Sequence, residues 1–126
     1  MPDPQEIVQT LEKVRAALSL AAERSGRGPQ NVSVMAVTKT HPVEAVRAAW
    51  AAGLRLFGEN RVQEAEGKYR PEAGLPALSL HLIGHLQRNK ARKAAELFEA
   101  VQSIDKLETA QALEAACAAR ERAVDV

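Results

Sequence analysis

The segment VSVMAVTKTHP, residues 32–42, sets an amine directly behind an apolar run of strand type. Apolar neighbours that strip water from a lysine disfavour its charged form, so Lys39 is expected to have a lowered pKa and more neutral amine near neutral pH. Neutral amine is the form that attacks an aldehyde to give a Schiff base. The alternative is a side chain that runs its methylenes along the apolar surface and leaves the ammonium in water.

Polar groups recur behind each later apolar run: Gly58-Glu59-Asn60, then Gly84-His85, then Ser103-Ile104-Asp105. Asn60 either hydrogen-bonds a ligand or caps the helix that follows. His85 either touches a ligand or keeps a structural hydrogen bond. Glu59 is a base or the partner of a nearby cation, and Gly58 and Gly84 permit close backbone approach or tight turns. His41, His81 and His85 do not have metal-ligand spacing on a helix, so no metal site is expected. No phosphate-cradling glycine loop and no nucleophile elbow occurs. The basic run QRNKARK, residues 87–93, either touches phosphate or forms a solvated helix face; no aromatic side chains are interleaved with it.

These residues need a scaffold that brings strand ends together. A helix is predicted from Pro4, with Asp3 as cap, Glu6 completing a capping box, and Ile7, Leu11, Val14, Leu18 and Ala21 at helical spacing. Strands are predicted over 32–37, 54–60, 78–87 and 100–105, each apolar enough to be buried on both faces. Helices are predicted from Pro42 to Gly53 and over 61–70, 89–98 and 106–123, and AVDV at 123–126 reads as the start of a fifth strand. Strand and helix alternating in this way imply a parallel sheet, whose sites are built at the carboxyl ends of its strands. Thr38-Lys39-Thr40 and the three later polar sets should therefore share one rim.

The 126 residues fit one domain, with charged residues at 26% and a formal net charge of +1. Near-neutral charge argues against nucleic acid as partner. No apolar run approaches the roughly 20 residues of a membrane span, and the N-terminus has no secretory pattern, so neither a membrane nor export is expected. The single cysteine, Cys117, lies in an alanine-rich helical segment and reads as a packed residue in a cytoplasmic protein.

AVTKTHP (36–42), FGENRVQE (57–64), HLIGHLQRNKARK (81–93) and VQSIDK (101–106) together resemble the pyridoxal phosphate homeostasis proteins, relatives of the barrel domain of alanine racemase. The resemblance runs in order along essentially the whole chain. It implies a (β/α)8 barrel of the TIM type, of which residues 1–126 supply an N-terminal helix and about four βα units, a half barrel. It implies that Lys39 forms a Schiff base with pyridoxal 5′-phosphate, that Asn60 and His85 line the cofactor side, and that the role is holding and buffering the cofactor without turnover. A racemase-like enzyme is the alternative. The family's phosphate contacts belong to the later half of the barrel. A half barrel leaves open strand edges, from which self-association or complementation by a second chain is expected.

Overall fold

The computed structural model describes residues 3–126 and begins with the expected cap: the Asp3 side chain accepts the Gln5 amide at 3.0 Å and Pro4 stands in the first turn of α1 (Pro4–Arg24). Gly26, at φ +75°, turns the chain away from the helix. Four βα units follow among the described residues: β1 (Met35–Val37), α2 (Val43–Ala51), β2 (Leu56–Glu59), α3 (Val62–Lys68), β3 (Ser79–Leu82), α4 (Ala91–Leu97), β4 (Ala100–Val101) and α5 (Leu107–Ala119).

The four strands form one parallel sheet in the order β1-β2-β3-β4. Consecutive strands that are neighbours, each returning through a helix, make the curved wall of a TIM-type barrel, here a half barrel as expected. The anticipated fifth strand makes its first contact: Ala100 bridges to Asp125, with Val101 N donating to Asp125 O at 2.8 Å.

Register divides the sheet into two unlike faces. Ala36, Phe57 and Leu80 lie opposite one another, as do Glu59, Leu82 and Val101 across the later strands. This face packs on the helices: Phe57 and Leu82 meet Val46, Ala65, Ala94, Phe98 and Leu113 in a continuous core. Burying a Phe side chain such as Phe57 or Phe98, both at 0% exposure, contributes roughly 2–3 kcal/mol.

Val37, Gly58 and His81 share the other face. The sequence suggested strands buried on both sides, yet Val37 is 44% exposed. The physical reason is closure: in a complete barrel this face is covered by strands across the axis, and four strands do not close. The strands are also shorter than their apolar runs, because the chain past Val37, Glu59 and Leu82 turns into rim loops. The stripe expected on α1 is covered only in part, since α1 leans on α2 and the turn at Pro29–Asn31; Leu11 is buried while Val14 stays 44% exposed. Cys117 is buried in α5, as its alanine-rich setting indicated.

Candidate functional site

The loop after β1 carries Lys39. Thr38 is buried, whereas Lys39 and Thr40 are exposed. The desolvation expected at Lys39 is therefore absent: the strand's apolar run ends one residue too early, and the amine extends from the turn into solvent. Among the described residues, no carboxylate lies within ion-pair distance of it. Thr40 adopts φ +66°, a left-handed conformation that a β-branched residue enters at a cost of order 1–2 kcal/mol.

A buried polar cluster under that loop offsets the cost. The Glu64 carboxylate accepts the Thr40 amide. Lys68 Nζ donates to Thr38 O at 2.6 Å and His41 O at 2.9 Å, and is paired with Glu59 and, at 3.2 Å, with Glu64. Thr38 Oγ1 donates to Glu59 Oε1 at 2.8 Å. A threonine hydroxyl has one proton, so the Tyr69 hydroxyl, 2.8 Å from the same oxygen, is the donor of that second bond. Glu59 is fully buried and its Oε2 has no hydrogen-bond partner.

Helical spacing puts Glu64 and Lys68 one turn apart on α3, a pairing visible in the sequence. Thr38 and Tyr69 had no such signal. Of the two roles open to Glu59, the structure gives it the ion pair. Burial alone would raise the Glu64 carboxyl, but the Thr40 amide and the Lys68 and Arg61 cations outweigh it and hold the group below the usual carboxylate range. Burial, reinforced by the Glu59 and Glu64 charges, pushes Tyr69 well above the ordinary phenol value.

Asn60 and His85 meet on one concavity of about 470 Å3, lined also by Arg61, Gln63, Gly84 and Lys90. Gly84 makes that approach possible. A Cβ there would strike the Asn60 carbonyl oxygen and stand 2.8 Å from its Cα, so only glycine lets the loops after β2 and β3 touch. Ser103 Oγ donates to Gly84 O at 2.6 Å and ties in the loop after β4. His85 Nδ1 lies 3.7 Å from Asp105 Oδ2, both side chains more than half exposed. The N-cap position of α3 is held by Arg61, not by Asn60. Lys39 is not part of this concavity. It stands on the adjoining loop, joined to β2 where Thr38 N donates to Gly58 O at 3.1 Å.

Among the described residues no group of acidic, histidine or cysteine side chains could hold a metal ion, and no helix is long and apolar enough to cross a membrane. In the basic run, Arg88 and Arg92 are exposed, Lys93 pairs with Glu66 and Glu96, and Gln87 and Lys90 line the concavity.

A family described as alanine racemase, N-terminal domain, matches residues 9–126. A pyridoxal phosphate homeostasis protein of Pseudomonas aeruginosa is 50% identical over 107 residues, which is 85% of this chain and 46% of that protein. Its namesake in Escherichia coli K12 is 44% identical over 110 residues, 86% of this chain and 47% of its own. The chain spans about half the length of the curated relatives it matches. Among solved structures, PipY of Synechococcus elongatus with PLP bound superposes at a TM-score of 0.70 and 44% identity, over 87% of this chain and 51% of PipY. A protein of Bifidobacterium adolescentis superposes at 0.83 and 31% identity, over 98% of this chain and 55% of its own. With a parallel half barrel, a rim assembled from strand-end loops and a match over residues 9–126, this chain belongs to the family of alanine racemase N-terminal domains.

Proposed function

We propose that residues 1–126 form the N-terminal half of a barrel that holds pyridoxal 5′-phosphate for cofactor homeostasis, with Lys39 as the covalent anchor. The observation that carries this is an exposed amine, without an ion-pair partner among the described residues, on the loop after β1, the strand that pairs with the β2 leading into Asn60. The donor chemistry fits. An amine can condense with the aldehyde, and an amide and an imidazole on the loops after β2 and β3 can hydrogen-bond ring substituents. The solved PipY structure with PLP bound, 44% identical, supports the choice of cofactor. When bound, the cofactor supplies an aldehyde that forms a C=N bond to an amine with loss of water. Lys39 supplies that amine, and the clamped loop presents it at the rim. Asn60 and His85 orient the ring.

Holding without turnover follows the naming of the curated relatives as homeostasis proteins. The chain's single tyrosine, Tyr69, is engaged with Thr38 beneath the loop and is not poised at the rim.

Incubation with pyridoxal phosphate, borohydride reduction and intact mass test the reading. One adduct is expected, mapped to Lys39 and missing from Lys39→Ala. An adduct elsewhere, or none, would overturn the anchor assignment. Racemisation of an amino acid by the purified chain with added cofactor, lost in Lys39→Ala, would overturn holding in favour of catalysis.

A further inference from the structure

The loop that carries Lys39 is gripped through its backbone while the lysine side chain is left free. Lys68 has three N–H donors and faces four acceptors: the Thr38 and His41 carbonyls and the Glu59 and Glu64 carboxylates. Glu64 takes the Thr40 amide, and the Tyr69 hydroxyl fixes the Thr38 side chain. Lys68 is a poor candidate for the aldehyde-reacting amine, since its side chain is only 10% exposed and its donors are committed. Four charged or polar side chains from β2, α3 and its end thus converge on a turn whose centre is the unfavourable Thr40 backbone.

We propose that Glu59, Glu64, Lys68 and Tyr69 form a positioning device that holds residues 38–41 in one conformation and thereby sets the rate at which Lys39 takes up an aldehyde. The rate half of this rests on Lys39 being the cofactor amine; the holding half does not. A mobile turn would spread the Lys39 amine over many positions, and an ordered one restricts the positions and directions from which it meets an aldehyde. The acceptor most easily removed is Glu64, because its side chain is 27% exposed and its loss leaves the buried Glu59–Lys68 pair intact.

The test is hydrogen exchange read at Thr40 and His41, alongside the rate of borohydride-trapped pyridoxal phosphate adduct at Lys39. In Glu64→Ala, exchange at these amides is expected to accelerate about tenfold, the order set by losing a hydrogen bond to a charged group, and the adduct rate to fall by a similar factor. Glu64→Gln keeps an acceptor oxygen at the same reach and should restore both. Exchange in α1 and β4 should stay unchanged in the two variants, separating a loosened loop from general destabilisation. Unchanged exchange at Thr40 in Glu64→Ala would overturn the proposal, and so would a loosened loop whose Lys39 reacts as before. If the unsubstituted chain takes no adduct at Lys39, the anchor assignment and the rate half fall together, and exchange alone decides the holding half.

Discussion

Lys68, at the end of α3, donates to the carbonyl of Thr38 at 2.6 Å, so an ammonium thirty positions downstream fixes the backbone directly before Lys39. That bond links the loop carrying Lys39 to the sheet, because the same ammonium is paired with Glu59 at the end of β2.

Lys68→Met should be among the most damaging single changes. It strands the fully buried Glu59 carboxylate, and removing one partner of a buried pair costs roughly 3–5 kcal/mol. The double variant Lys68→Met with Glu59→Gln should recover part of that loss. Urea unfolding midpoints check both. A single variant within about 1 kcal/mol of the parent would mean that the pair contributes little to the fold.

Two glycines should answer oppositely to alanine. Gly84→Ala forces its new methyl into the Asn60 backbone and should cost roughly 1–3 kcal/mol, the scale of overpacking. It should also weaken cofactor uptake by parting the two loops. Gly67→Ala lies inside α3 with nothing within 4 Å of the added carbon, and should stabilise by about 0.4–1 kcal/mol. Thermal melts of the pair, measured side by side, decide this.

Tyr69 predicts the alkaline limb of stability. Its phenol is raised in the folded chain, so the fold favours the un-ionised form. That contribution is fully present below the unfolded value of about 10 and is lost as pH rises through the folded value. Tyrosinate absorbance, which reports one residue in this chain, should appear well above pH 10 when folded and near 10 in urea. Coincident titrations would show that the phenol is not buried against Thr38.

Glu64 predicts the acid limb. Its carboxyl is lowered in the folded chain, so its contribution is present above the ordinary value of 4.5 and is lost as pH falls through the folded value. Stability measured downward from pH 5 should therefore decline more steeply in the parent than in Glu64→Gln, whose amide does not titrate. Parallel declines would remove Glu64 from the acid response.

Much was legible in the residues alone. Asp3 and Pro4 mark a helix start through local capping, and the alternation of apolar runs with helical stripes yields a parallel sheet because each βα unit carries its own period. The shared rim followed from the rule that strand ends converge, and Asn60 and His85 do meet there. Glu64 and Lys68 were within reach as a one-turn pair. What the residues could not disclose was whether Lys39 would be dry or wet, because that depends on where β1 gives way to the turn, which ends the strand at Val37 and leaves Lys39 exposed.

The sequence by itself determined the order and type of the elements, since caps, turns and hydrophobic period act over a few neighbouring residues. Only the tertiary structure decided that Thr38, Glu59, Lys68 and Tyr69 share one buried network. The contacts of Thr38 with Glu59, Lys68 and Tyr69 join residues some twenty to thirty positions apart. No local pattern encodes them; the register of β1 against β2 and the seating of α3 on the sheet bring them together.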